Sequence, residues 1–387
     1  MEKKLLTVAI AAALAGATAV AQADTTLYGN LNESINYSKV DDAGTSDPGA
    51  GGADNDDDWN MRSNTSSLGV RGSEDLGNGL SAIYQAEWQF DPADASGFTG
   101  RDQWLGLSTN KLGKIRFGTI STSYKSHGAM IDPLYRTSLQ DRNFGLQSRL
   151  HSGKGENGEG RMTRHIRYDS PSWAGFDFTL DYSLDNDAND FSDDNAYGAG
   201  VKYKNGGILV FADYLTNDAG GDDNAWKVGG SWTFGNFGIY GQYEGDGGLI
   251  AQQGSGANVA LTGGYDPDDN PQNWQGDGQN TWFAGLSYTW GNTLFFGGYG
   301  QADDVDSGGN NTLQQGIDTG YTSWTIALDH HLSKRTDVYA GYNRLDCNSY
   351  SGSVCSDGRA IQINVPDDQV QGGGTQDFFS VGVRHKF

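Results

Sequence analysis

Six histidines, His127, His151, His165, His330, His331 and His385, are the bases this chain offers to acid–base or nucleophilic chemistry. No Gly-x-Ser-x-Gly turn accompanies them, and a sequence alone cannot place a serine hydroxyl against any of these rings, so hydrolysis has no motif here. The segment Asp185-Asn186-Asp187-Ala188-Asn189-Asp190 opens like a calcium loop. It lacks the sixth-position glycine, and Ala196 stands at the twelfth position, where a bidentate glutamate is required. Gly153-Lys154-Gly155-Glu156-Asn157-Gly158 has the spacing of a nucleotide loop, yet it neither follows a predicted strand directly nor opens a helix. Cys347 and Cys355 lie eight apart, too few N and S ligands for a metal centre. In an oxidising compartment they are expected to pair as a surface disulfide, with free thiols as the alternative. Neither a metal nor a cofactor is expected.

The chemistry that remains is charge. The chain carries 49 acidic against 26 basic side chains, a formal net charge of −23. That opposes nucleic-acid binding, which needs clustered Lys and Arg to neutralise phosphates. The acids concentrate in polar stretches. Residues 39–61, 184–195, 216–224, 244–279, 300–318 and 346–375 hold 29 Asp and Glu against Lys39 and Arg359. One long stretch, 120–160, is mixed instead. Lys125, Arg136, Arg142, Arg149 and Lys154 stand there against Asp132, Asp141, Glu156 and Glu159.

The elements that position these charges alternate with period two. In Thr281–Trp290, one face is Trp282, Ala284, Leu286, Tyr288 and Trp290, and the other is Thr281, Phe283, Gly285, Ser287 and Thr289. Ala225–Phe234 and Phe176–Ser183 alternate likewise, which predicts strands with one apolar and one polar face. Sixteen such segments are expected, near 25–38, 64–73, 80–90, 101–109, 114–119, 161–169, 176–183, 196–203, 208–215, 225–234, 237–243, 280–290, 293–299, 320–332, 336–345 and 376–387. Short turns follow the even-numbered strands and long acidic loops the odd-numbered ones. Gly at 58 of 387 residues, with 10 Trp and 19 Tyr, suits many turns and an exposed aromatic face. Aromatics gather beside the short turns, as at Tyr168, Trp173, Tyr203, Phe234, Phe237, Trp290 and Phe295. An even strand count, sorted loop lengths and aromatic girdles mark a closed transmembrane barrel rather than a soluble sandwich. At the N-terminus, Glu2-Lys3-Lys4, the apolar run Leu5–Val20 and Ala21-Gln22-Ala23 predict a cleaved signal peptide over 1–23 and a mature chain of 24–387. A membrane anchor is the competing reading, and the run is short for a span of ~20 residues.

The hairpin Ser66-Ser67-Leu68-Gly69-Val70-Arg71-Gly72-Ser73-Glu74-Asp75-Leu76-Gly77-Asn78-Gly79-Leu80-Ser81-Ala82-Ile83-Tyr84-Gln85-Ala86-Glu87 resembles the second-to-third-strand hairpin of the Gram-negative general porins. Thr26-Leu27-Tyr28-Gly29, Ile166-Arg167-Tyr168-Asp169-Ser170-Pro171 and the closing strand ending on Phe387 extend the likeness along the chain. The resemblance implies an all-β fold, a 16-stranded antiparallel β-barrel with short periplasmic turns and long extracellular loops. It also implies a third loop, 120–160, folded inward as the constriction. It further implies a homotrimeric passive pore in the outer membrane, surrounded by lipid and lipopolysaccharide and passing ions and small hydrophilic solutes. Strand parity then points Arg71, Glu87, Arg116, Arg161 and Arg167 into the lumen. Arg136, Arg142, Asp132 and Asp141 come from the third loop. Arg164 breaks the parity unless it sits at the headgroup level or its strand bulges. Ser67 and Thr119 stand where the family commonly has Arg, which thins the basic set. A sugar-specific channel using Phe283 and Tyr321, or an adhesion barrel, are the competing functions.

Overall fold

The computed structural model describes residues 24–41, 56–144, 154–155, 160–184, 195–216, 224–247, 280–303, 320–347 and 374–387. The expected signal peptide, most of the long acidic loops and Cys355 lie outside them. Cys347 is described by its backbone alone, so the disulfide is not among the described contacts.

The wall has sixteen strands. In chain order they are β1 Asp24–Asp41, β2 in two segments (Asp56–Ser63 and Ser67–Gly77), β3 Leu80–Asp91, β4 Ser96–Thr109 and β5 Gly113–Ser121. Next come β6 Arg161–Asp169, β7 Phe176–Ser183, β8 Tyr197–Asn205, β9 Ile208–Thr216, β10 Asn224–Phe234 and β11 Phe237–Gly247. The wall ends with β12 Thr281–Trp290, β13 Thr293–Ala302, β14 Tyr321–His331, β15 Thr336–Cys347 and β16 Gly374–Lys386. Each pairs antiparallel with its sequence neighbours. The ring closes where β1 pairs with β16, from Asn30 opposite Lys386 to Asp41 opposite Thr375. Gly29 and the terminal Phe387 exchange both backbone hydrogen bonds, at 3.1 and 3.2 Å, and seal the seam. A closed ring leaves no unpaired strand edge, which is what hydrocarbon demands of any sheet that crosses it.

The burial pattern is inverted relative to a soluble protein. Leu180, Val210, Trp226, Leu286, Ile326 and Val381 are exposed on the outer face. Asn32, Asn36, Asp181, Lys227, Asp329 and Ser380 are buried on the inner face. Water would drive the opposite arrangement, so the exterior is matched to lipid. No described helix is long and apolar enough to cross a membrane. Aromatic rings cluster at the short-turn end: Phe176 packs on Tyr203 (centroids 4.4 Å) and Phe237 on Tyr288 (4.9 Å). Gly235 and Gly291 open two-residue hairpins with φ of 57° and 59°, a conformation a side chain disfavours.

Two expected boundaries shift. β2 begins at Asp56 rather than near 64, because the acidic run extends the ladder: Asp57 lies opposite Lys39 and accepts from the Tyr37 hydroxyl (3.1 Å). The connection expected to be long after β3 is a four-residue turn, 92–95, held by Asp91 accepting from the backbone N–H of Ala93 (2.8 Å). Gly97 and Gly100 both lie within β4, which starts at Ser96 rather than near 101. At Arg164 the strand bulges, one of the two ways its break in parity could arise: the β5–β6 register shifts between Gly118 and Ile120, and Arg164 has φ of 47°.

Candidate functional site: the inner wall and the segment packed on it

Beyond β5 the chain turns into helix α1 (Ser123–Met130), and Thr122 caps it by accepting from the backbone N–H of Lys125. The backbone N–H and hydroxyl of Ser123 both donate to Asp181 Oδ2, at 3.0 and 2.8 Å. Opposite them, a Cβ at Gly200 would meet Ser123 Oγ at 2.8 Å, so glycine lets the helix approach β8 this closely. His127 Nδ1 lies 2.9 Å from Asp213 Oδ1, and the Tyr124 hydroxyl donates to Glu244 Oε1 (2.6 Å). Lys227 sits 4.2 Å from the Tyr124 ring centroid.

Apolar contacts carry the segment onward. Ile131 joins a buried cluster with Phe211, Phe283 and Tyr321. Leu134, Leu139 and Phe144 join Phe296, Tyr339 and Phe378. Polar contacts then reach the seam: Ser138 to Ser380, the Asn32 amide to the carbonyl of Arg136, and Arg384 to the carbonyl of Tyr135 (3.1 Å). Phe283 and Tyr321 are both buried in this cluster, which corrects the expectation that they offer open stacking faces to a sugar.

The guanidinium groups gather on the wall from β2 to β6. Arg71 is exposed and lies over the Tyr28 ring, 4.8 Å from its centroid. Glu87 is the hub. It is paired with Arg101, lies 3.4 Å from Arg136 Nη2, and accepts from the Tyr28 hydroxyl (3.0 Å). Arg161 Nε bonds Asp102 Oδ1 at 2.7 Å. Arg116 and Arg167 share Asp169, at 2.6 and 2.8 Å, and Arg167 Nε also lies 3.9 Å from Asp181.

Of the residues expected from sequence, Arg71, Glu87, Arg116, Arg161 and Arg167 lie on the inner wall, and Arg136 reaches Glu87 from the segment. Asp132 and Asp141 turn toward each other: Asp132 accepts from the backbone N–H groups of Leu134 (2.9 Å) and Asp141 (3.2 Å). Arg142 belongs to a short 3-10 helix, Asp141–Phe144, and its side chain lies outside the described residues. Arg101, Asp102, Asp181 and Arg384 were missed. Arg101 and Asp102 together oppose the single residue Glu87, because the β3–β4 register shifts there; a bulge re-aims side chains that simple alternation sends apart. Arg384 follows the outward-facing Val383, so parity alone would have found it.

Burial and the neighbouring Asp132 push the Asp141 carboxyl well above the usual aspartate range. The packed segment then binds a proton that the free segment releases. Packing is favoured at low pH and loses stability as pH rises through the elevated range. Asp141→Asn, which mimics the protonated acid, is expected to slow amide exchange over residues 123–144 severalfold at pH 7. Below about pH 3.5 the difference from the natural chain disappears. Equal exchange at pH 7 would show that Asp141 does not limit packing.

The Gram-negative porin family profile matches residues 7–349. An outer membrane porin of Bordetella pertussis is 29% identical over 377 residues, covering 88% of this chain and 93% of the relative. A major outer membrane protein P.IB of Neisseria meningitidis serogroup B is 33% identical over 202 residues, covering 52% of this chain and 56% of that protein. Among solved structures, an anion-selective porin from Comamonas acidovorans superimposes with a TM-score of 0.67 at 21% identity, covering 95% of this chain and all of that one. The trimer form of OmpT from Vibrio cholerae gives 0.58 at 16% identity, covering 94% and 99%. A lipid-matched exterior, a closed sixteen-stranded wall and a profile match over most of the sequence lead to one assignment: the chain belongs to the Gram-negative porin family and is a diffusion channel of the outer membrane.

Proposed function

We propose that residues 122–144, within the 120–160 connection, form the constriction of a passive pore for ions and small hydrophilic solutes. The observation that carries this reading is the continuous packing of that segment on inward-facing side chains, from Asp181 to Ser380. It narrows whatever water-filled path remains, and Arg136 projects from it toward Glu87. Selection follows from the charged wall beside it. Arg71, Arg101, Arg116, Arg136, Arg161 and Arg167 are six guanidinium groups against the four carboxylates Glu87, Asp102, Asp169 and Asp181. A fixed positive excess in a narrow, low-dielectric passage favours anions there, whereas the acidic loops at the mouth attract cations. We assign the dominant role to the constriction, because the mouth is wider and its charges are screened within about 8 Å at physiological salt.

The natural assembly is a homotrimer in contact with lipid and lipopolysaccharide. Support for this is family membership, together with Glu33 on the outer face of β1. Its carboxylate accepts from Ser66 (3.2 Å), and a carboxylate there is costly against hydrocarbon and tolerable against another protein chain. Planar-bilayer recording of the purified chain under a tenfold salt gradient tests the reading. Stepwise conductance with an anion-selective reversal potential is expected. Absence of steps from folded protein would overturn the pore and favour a surface-adhesion barrel. Cation selectivity would give the mouth the dominant role.

A further inference from the structure

The short-turn end of the barrel carries a side-chain group that diffusion does not require. His331, the last residue of β14, lies opposite Asp337 of β15. Asp329 precedes His331 by two residues, so all three share the inner face. His331 Nδ1 hydrogen-bonds Asp337 Oδ1 and lies 3.9 Å from Asp329 Oδ1. One ligand atom from each residue falls within 4.8 Å of the other two. Arg384 takes the remaining oxygens: its Nη2 donates to Asp329 Oδ2 and its Nε to Asp337 Oδ2, both at 2.9 Å. Asp329 is 97% buried, yet its Oδ1 has no hydrogen-bond partner and faces the cluster. A buried carboxylate oxygen left without a partner is costly and calls for an occupant.

We propose that Asp329, His331 and Asp337 form a binding site for a borderline divalent cation, zinc above all, at the short-turn mouth of the pore. The donor set decides the class. One imidazole nitrogen with two carboxylate oxygens suits zinc, whereas calcium and magnesium prefer oxygen alone. Zinc bonds of ~2.0–2.2 Å put tetrahedral ligands roughly 3.3 Å apart, so an entering ion replaces the hydrogen bond between the half-exposed His331 and Asp337, widening that pair while drawing Asp329 inward from the present spread of up to 4.8 Å. Arg384 supplies the outer hydrogen bonds that fix both carboxylates, as such partners do in metal sites. The same exposure of His331 gives the ion its entry path, and water fills the fourth position.

The test is equilibrium dialysis of the detergent-solubilised full chain against zinc, with magnesium in large excess to occupy the acidic loops. This readout is independent of conductance, so its failure leaves the pore reading untouched. One saturable zinc per chain is expected. His331→Gln should lower its affinity by about tenfold or more. His385→Gln, at a histidine bonded to Thr336 instead, should leave it unchanged. Cobalt bound to the natural chain gives a second readout that needs no variant: visible bands of a nitrogen–oxygen tetrahedral site are expected. Zinc uptake that magnesium abolishes, uptake indifferent to His331→Gln, or cobalt without such bands would each overturn the proposal.

Discussion

A chain carrying Leu134→Asp and Leu139→Asp is expected to conduct several-fold more current per channel than the natural chain. Both leucines are fully buried, and they pack with Phe296, Tyr339 and Phe378. Truncating one such side chain to alanine already costs about 2–5 kcal/mol, and placing a carboxylate there adds the desolvation of a charge. The segment has few ways to keep its seat. Ser138 and Arg136, bonded to Ser380 and Asn32, sit among these residues and leave with them. The wall keeps its closure, because the backbone ladder of every strand is made with neighbouring strands, and among the described contacts the segment bonds to side chains of the wall. Single-channel recording reads the result, and heat-modifiable gel mobility verifies that the barrel has closed. Unchanged conductance from a closed barrel would remove residues 122–144 from the role of constriction.

The second large effect is on selectivity. Glu87→Gln takes away the carboxylate that offsets both Arg101 and Arg136. Glutamine keeps one oxygen for Arg101, and its NH2 donates to the Tyr28 hydroxyl, which reverses its role, so the side chain stays seated while one negative charge is lost. At roughly 8 Å from a passing ion and an effective dielectric constant of about 40, that charge is worth ~1 kcal/mol. The permeability of each ion then changes about fivefold in opposite directions, and the anion-to-cation ratio by more than tenfold. The reversal potential under a salt gradient reports the shift directly. A ratio that stays put would mean that ions pass away from Glu87.

Legibility differed sharply between wall and site. Thr281–Trp290 shows its two faces in the bare sequence because a strand repeats every two residues, and in a barrel one face meets lipid while the other meets water or the packed segment. Leu286 outside and Ser287 inside follow from that period alone. The same rule placed Arg71, Arg116 and Arg167, and applied to the last strand it would have placed Arg384. It failed where the period breaks. Arg101 and Asp102 share one opposing residue, and no local pattern announces that.

Sequence by itself therefore determined the strand count, the lipid-facing surface and the position of the short turns. These are properties of a periodic chain held between hydrocarbon and water. The tertiary structure decided which charges meet. Asp132 and Asp141 sit nine residues apart and meet where the Asp141 backbone N–H donates to Asp132, because the turn at Leu134 folds the segment back on itself. Phe283 and Tyr321 lie on the inner face as alternation requires, but they are buried in a cluster that Ile131 joins from far along the chain. Asp329, His331 and Asp337 become neighbours only when β14 and β15 align in register and Arg384 arrives from β16. Contacts of that kind depend on packing between segments distant in sequence, and a one-dimensional period holds no record of them.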